Sequence, residues 1–114
     1  MLFPMELKLM SIVWTHTPLT ASHLARLAAD QIGWKRTTTY TVVARLAERG
    51  VLERQGKLVR PLLSREAYET EAVRTLLGDV FDGDWNRLSA VVQSLAEKSD
   101  TANAGDSIDK SMNV

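Results

Sequence analysis

At Gly50 the hydrophobic rhythm of this 114-residue chain changes, and that change constrains the fold more than any other feature. Before it, apolar residues recur at helical spacing in three separate stretches. After it, VLERQGKLVRPLLS alternates crudely on either side of Gln55-Gly56-Lys57. A period near 3.6 buries one stripe of a helix, whereas a period of 2 buries one face of a strand. The chain therefore reads as three helices followed by a short hairpin.

Each stretch carries its own start and stop signals. Residues 5–15 place Leu9, Met10, Val13 and Trp14 on one face, with Pro4 where proline suits a first turn. THTPLT breaks the pattern, and Thr20 is the expected N-cap of a second helix that turns Ala21, Leu24, Leu27, Ala28 and Ile32 inward and stops at Gly33. The third helix presents Thr39, Val42, Val43, Leu46 and Ala47 to the core, with Arg49 in its last turn and Gly50 as terminator. In the hairpin, glycine takes the turn and Pro61 is confined to an edge or an end.

Beyond the hairpin, a longer helix from the N-cap Ser64 to Phe81 is expected to bury Tyr68, Ala72, Val73, Leu76, Leu77, Val80 and Phe81. DGD interrupts it, and Asp84 caps a last helix whose stripe is Trp85, Leu88, Val91, Val92 and Leu95. From Ser99 onward large apolar residues almost vanish, which reads as a disordered tail. The predicted fold class is mainly α with a small β-hairpin. It comprises a winged helix-turn-helix domain over residues 1–63, a C-terminal helical dimerisation region over 64–97 and a disordered tail over 98–114.

Charge is segregated along a chain whose formal net charge is zero. From Lys35 to Arg60 seven bases (Lys35, Arg36, Arg45, Arg49, Arg54, Lys57, Arg60) face two acids, Glu48 and Glu53. Residues 61–114 carry five bases and ten acids. Such asymmetry points to one half that meets a polyanion and another with different work.

Several function classes are excluded or disfavoured. The chain has no cysteine, so disulfides, thiolate metal sites and cysteine nucleophiles are excluded. The two histidines, His16 and His23, lie on different elements and no metal site or cofactor is expected. No nucleophile-base-orienter set, phosphate-cradling glycine loop or paired acids in an apolar setting is legible, so the chain is not read as an enzyme. Its apolar runs fall far short of the ~20 residues that span a bilayer, and MLFPMELKLM lacks a basic region ahead of an apolar one; the reading is cytoplasmic.

The segment RTTTYTVVARLAERG spends four threonines in a helix, although β-branched side chains lose χ1 freedom there. With Thr39 inward, the wheel leaves Thr37, Thr38, Tyr40, Thr41, Ala44, Arg45 and Glu48 facing out. Thr37 reads as the N-cap. Small hydroxyls at a helix N-terminus donate to phosphate oxygens or touch base edges, and a threonine methyl packs on a thymine methyl. Lys35, Arg36 and Arg45 supply phosphate charge, and Arg54, Lys57 and Arg60 sit in or beside the hairpin turn, where a wing meets DNA. Double-stranded DNA is the expected partner. Trp14, Trp34 and Trp85 read as core and interface anchors.

Three segments carry a resemblance. MELKLMSIVW, TTTYTVVARLAERG and PLLSREAY resemble the first helix, recognition helix and post-wing segment of the penicillinase repressor family, the BlaI/MecI type, over roughly residues 5–95. The resemblance implies a homodimeric winged-helix repressor of palindromic operators, typically of β-lactamase or cell-wall response genes, in which Thr38, Tyr40, Thr41 and Arg45 face DNA. It also implies a membrane-bound sensor protease as partner, which in well-studied members cuts an Asn-Phe bond; Val91-Val92 stands at that place here. The family's capping-box glutamate is replaced by His23, and its wing tyrosines by Leu58 and Val59.

Val73, Leu76, Leu77, Val80, Phe81, Trp85, Leu88, Val91, Val92 and Leu95 are the expected dimer interface, since this is more apolar surface than two terminal helices can hide on a small winged domain. The competing expectation is a winged-helix interaction module whose basic hairpin docks an acidic partner without reading DNA.

Overall fold

A computed structural model of the chain describes the backbone of residues 1–106 and the side chains as far as Ser99. The chain divides into two units, Met1–Glu71 and the part from Ala72 onward. The first contains α1 (Pro4–His16), β1 (Leu19–Thr20), α2 (Ala21–Ile32), α3 (Arg36–Glu48), β2 (Leu52–Gln55), β3 (Leu58–Pro61) and the opening turns of α4 (Arg65–Phe81). The second contains the rest of α4 and α5 (Trp85–Asp106). Helices with a small antiparallel sheet in this order form the winged helix-turn-helix expected from the sequence.

The helical stripes meet in one core. Leu9, Met10 and Val13 of α1, Leu24 and Ala28 of α2, and Val43 and Leu46 of α3 are buried, and Leu52 and Val59 close the cluster from the hairpin. Burying such a side chain contributes roughly 1.5–3 kcal/mol, whereas an isolated two-stranded hairpin is marginal in water. The helices therefore hold the hairpin, and not the reverse.

Local signals decide where elements begin and end. The Thr20 hydroxyl accepts from the His23 N–H at 3.0 Å, Ser64 accepts from Ala67 N–H at 3.0 Å and Asp84 from Arg87 N–H at 3.1 Å, three caps read from the sequence. Gly33 ends α2 at φ 69°, and Gly56 opens the two-residue hairpin turn at φ 61°, a conformation that disfavours side chains. Thr37 is not the N-cap of α3. Lys35 takes that position in extended conformation, and Thr37 lies inside the first turn.

Other differences have tertiary causes. Leu19–Thr20 forms a third strand, Leu19 opposite Val59 and Thr20 opposite Leu58, so the sheet order is β1-β3-β2. Two residues after a proline carry no readable period. The first unit extends into α4 as far as Glu71, where the opening turns of α4 pack on α1. The Tyr68 ring lies 5.9 Å from that of Trp14, and its hydroxyl accepts from Leu2 N–H at 3.4 Å.

In the second unit, the stripe expected to be buried along α4 is mostly open. Leu77 and Leu88 are buried and Phe81 is half-buried, while Val73, Leu76, Val80, Trp85, Val91, Val92 and Leu95 are exposed. Asp82 at φ 50° and Gly83 at φ 80° turn the chain from α4 into α5. Helix α5 runs through Asp106, past the Ser99 where the tail was expected to begin. Extending a formed helix costs little once its nucleus exists. Residues 107–114, the rest of that expected tail, lie outside the described residues. No described helix is long and apolar enough to cross a membrane.

Candidate nucleic-acid interface

The outward face of α3 is set by what holds its inner face. Thr39, Val42, Val43 and Leu46 are buried against α1 and α2. A polar clamp fixes the far end: Arg49 Nη1 donates to both carboxylate oxygens of Glu6, at 2.7 and 2.8 Å, and Nη2 donates to the Met1 carbonyl at 3.0 Å. Glu6 also accepts from Phe3 N–H at 2.9 Å. Burial pushes the Glu6 carboxyl up, but the Phe3 N–H, the Arg49 hydrogen bonds and charge, and the Arg45 charge outweigh it and hold it below its usual 4.5.

With that face fixed, Thr37, Thr41, Ala44, Arg45 and Glu48 are exposed, and Thr38 and Tyr40 are half-buried. The Thr41 hydroxyl donates to the Thr37 carbonyl one turn back, at 2.9 Å. That bond uses the hydroxyl's one proton, so the exposed Thr41 oxygen is left to act as an acceptor. Lys35 and Arg45 are exposed, and neither side chain makes a hydrogen bond or ion pair among the described residues. Arg36 is engaged. Its Nη2 donates to Ser22 Oγ at 3.0 Å and its guanidinium lies 5.5 Å from the Tyr40 ring centroid, tying α3 to the start of α2.

Beside this helix lies a groove of about 380 Å³ lined by Thr20, Ala21, Ser22, Tyr40, Arg54 and Lys57. Thr20 to Ser22 are the N-cap and first residues of α2, where the helix dipole is positive. Ala21 N–H is bonded to the Lys57 carbonyl at 2.9 Å, which seats the hairpin tip against the helix start. A positive helix end, a lysine and an arginine around one concavity suit an anion with several oxygens, such as a backbone phosphate.

The hairpin sorts its bases by face. Leu52 pairs with Pro61, Glu53 with Arg60, Arg54 with Val59 and Gln55 with Leu58. Since Leu52 and Val59 face the core, Arg54 shares their side and points along it to the groove. Glu53, Gln55, Leu58 and Arg60 share the other side. There Arg60 Nη2 lies 2.7 Å from Glu53 Oε2, which also accepts from Gln55 Nε2 at 3.1 Å.

The structure thus gathers Lys35, Arg36, Thr37, Thr38, Tyr40, Thr41, Arg45, Arg54 and Lys57 around α3 and the groove, and places Arg60 on the opposite face of the hairpin. Sequence reasoning missed Ser22 and the groove floor, because a cap identifies a helix start but not what it faces. The histidines, on different elements, come together with ring centroids 6.4 Å apart. Among the described residues no cluster of three or more His, Cys, Asp or Glu is poised to hold a metal. Trp34 is buried, Trp14 half-buried and Trp85 exposed.

A comparison with curated proteins finds no match. A comparison with protein families does: residues 2–109 match the family described as penicillinase repressor. On that match, nearly the whole chain in length, and on the winged helix-turn-helix described above, the chain belongs to the penicillinase repressor family of DNA-binding transcriptional repressors.

Proposed function

We propose that the protein acts as a homodimer that occupies a palindromic operator in the cytoplasm and blocks transcription. The single observation that carries this reading is the open polar face of α3, bearing Thr37, Thr41 and the exposed Arg45, beside a groove with Arg54 and Lys57. In this reading α3 enters the major groove, where Thr38, Tyr40, Thr41 and Arg45 meet base edges. Lys35, Arg36, Arg54 and Lys57 neutralise phosphates, and Thr37 contacts one at the helix start.

Homodimerisation is supported by the exposed apolar residues Val73, Leu76, Val80, Trp85, Val91, Val92 and Leu95, with Phe81 at their margin. Leu77 and Leu88 are spent inside the chain, so the proposed interface loses them from its free surface. A two-fold axis would set the recognition helices ~34 Å apart on successive major grooves. Val91-Val92, exposed on α5, stands where the family resemblance places an Asn-Phe bond cut by a sensor protease, so relief of repression by cleavage of that specificity is not part of this reading.

Selection of bound sequences from random duplexes tests the reading. The expected result is an inverted repeat, with Arg45→Ala weakening its binding by roughly 5- to 100-fold and relaxing base preference, as losing an arginine at a base edge does. If Arg45→Ala and Thr41→Ala both leave affinity and preference untouched, the reading fails in favour of an acidic protein partner.

A further inference from the structure

Resting on the DNA-binding reading above, we propose that Glu53 is a specificity-determining residue: it neutralises Arg60 on the outer face of the hairpin and confines the wing's sequence-independent attraction for DNA to the inner face. The two residues are direct cross-strand partners. They are joined at 2.7 Å with side-chain exposures of 52% for Arg60 and 31% for Glu53, so the pair sits in solvent and not in the core. Gln55 Nε2 donates to the same Glu53 oxygen at 3.1 Å and anchors the carboxylate along that face.

An exposed ion pair stabilises a fold only slightly, so structural need alone gives little reason for it. Its electrostatic effect on a polyanion is larger. A free arginine at a wing finds a phosphate in any register, because every duplex presents phosphates at the same spacing, and each one neutralised steepens the salt dependence by a slope of about 0.9.

A carboxylate 2.7 Å from that arginine cancels the gain, whether or not the guanidinium swings away, since the pair as a whole brings no net charge to the phosphates. Arg54 and Lys57, with no acid beside them in the groove, keep theirs. The wing is therefore basic on the side that faces α3, where contact depends on seating α3 correctly, and neutral on the side that does not. Sequence-independent binding is weakened more than seated binding.

The test is a salt titration of the full chain on two duplexes, one carrying the selected operator and one scrambled. Glu53→Gln is expected to steepen the slope by about 0.9 on the scrambled duplex and tighten that binding on the order of fivefold at 0.15 M salt, lowering the operator-to-scrambled ratio. The double variant Glu53→Gln/Arg60→Gln is expected to return the slope to the wild-type value. Both residues are solvent-facing, and a thermal melt checks that the hairpin persists.

A Glu53→Gln titration that overlays the wild type overturns the proposal. So does a double variant with a slope below the wild type, which would put Arg60 on a phosphate already. Wild-type protein that binds neither duplex at low salt removes the DNA reading itself, an outcome separable from the other two.

Discussion

Among the described residues Glu6 and Thr39 are the two buried polar side chains, and they behave oppositely. Glu6 is fully engaged by Arg49 and Phe3 N–H, while Thr39 Oγ1 is buried with no hydrogen-bond partner. A carboxyl held below its usual 4.5 stabilises the fold above that pH, and the contribution is lost as pH falls through the lowered value. Thermal midpoints should therefore fall on acidification below about pH 4.5, and Glu6→Gln should lose that component of the pH profile while destabilising at neutral pH by about 3 kcal/mol. Thr39→Val exchanges an unsatisfied hydroxyl for a methyl of the same shape. It should stabilise by about 1 kcal/mol in a urea titration, with duplex binding unchanged because the side chain faces the core.

Elements are fastened mainly by contacts distant in sequence. Trp14 Nε1 donates to the Leu63 carbonyl at 2.8 Å, and the Arg65 guanidinium lies 5.4 Å from its ring, so one side chain of α1 secures the segment between hairpin and α4. Trp14→Phe keeps the ring packing and removes the donor. A loss of about 1–2 kcal/mol in urea midpoint-derived stability is expected, with base preference retained. The elements most legible in the sequence were those with a full stripe and a cap: α1, α2 and α3 by the spacing of their buried residues, and the hairpin by Gly56. Strand β1 was not legible, because its partner β3 lies some forty residues on and two residues cannot show a period. The face of Arg60 was within reach: once Gly56-Lys57 is placed as the turn, register pairs position 53 with 60 and fixes the ion pair. Ser22 and the groove required tertiary placement, as no local pattern says which way a helix start points.

At the scale of the molecule, basic and acidic halves coincide with different kinds of surface. Lys35, Arg36, Arg45, Arg54 and Lys57 lie around the proposed reading face, with Arg49 and Arg60 paired to acids away from it, whereas the acidic half carries the open apolar residues of α4 and α5. Acidity there disfavours contact with phosphates and leaves apolar burial as the means of the proposed association. The double variant Val92→Asp/Leu95→Asp changes two exposed positions of α5 and should leave helicity by circular dichroism intact. Sedimentation should then show a monomer, with operator affinity reduced on the order of 10²-fold or more as linked half-site binding is lost. A variant that remains dimeric would move the association surface elsewhere. The anchoring of α2 bears on how such regulators diversify. It is stitched to the hairpin by β1 and the Ala21–Lys57 bond, and to α3 by Arg36 and Ser22. Transplanting α3 by itself into a sister scaffold would leave those attachments behind, so a transplanted reading helix keeps its seating when residues 19–61 move with it and the scaffold supplies an acid at the place of Glu6 for Arg49.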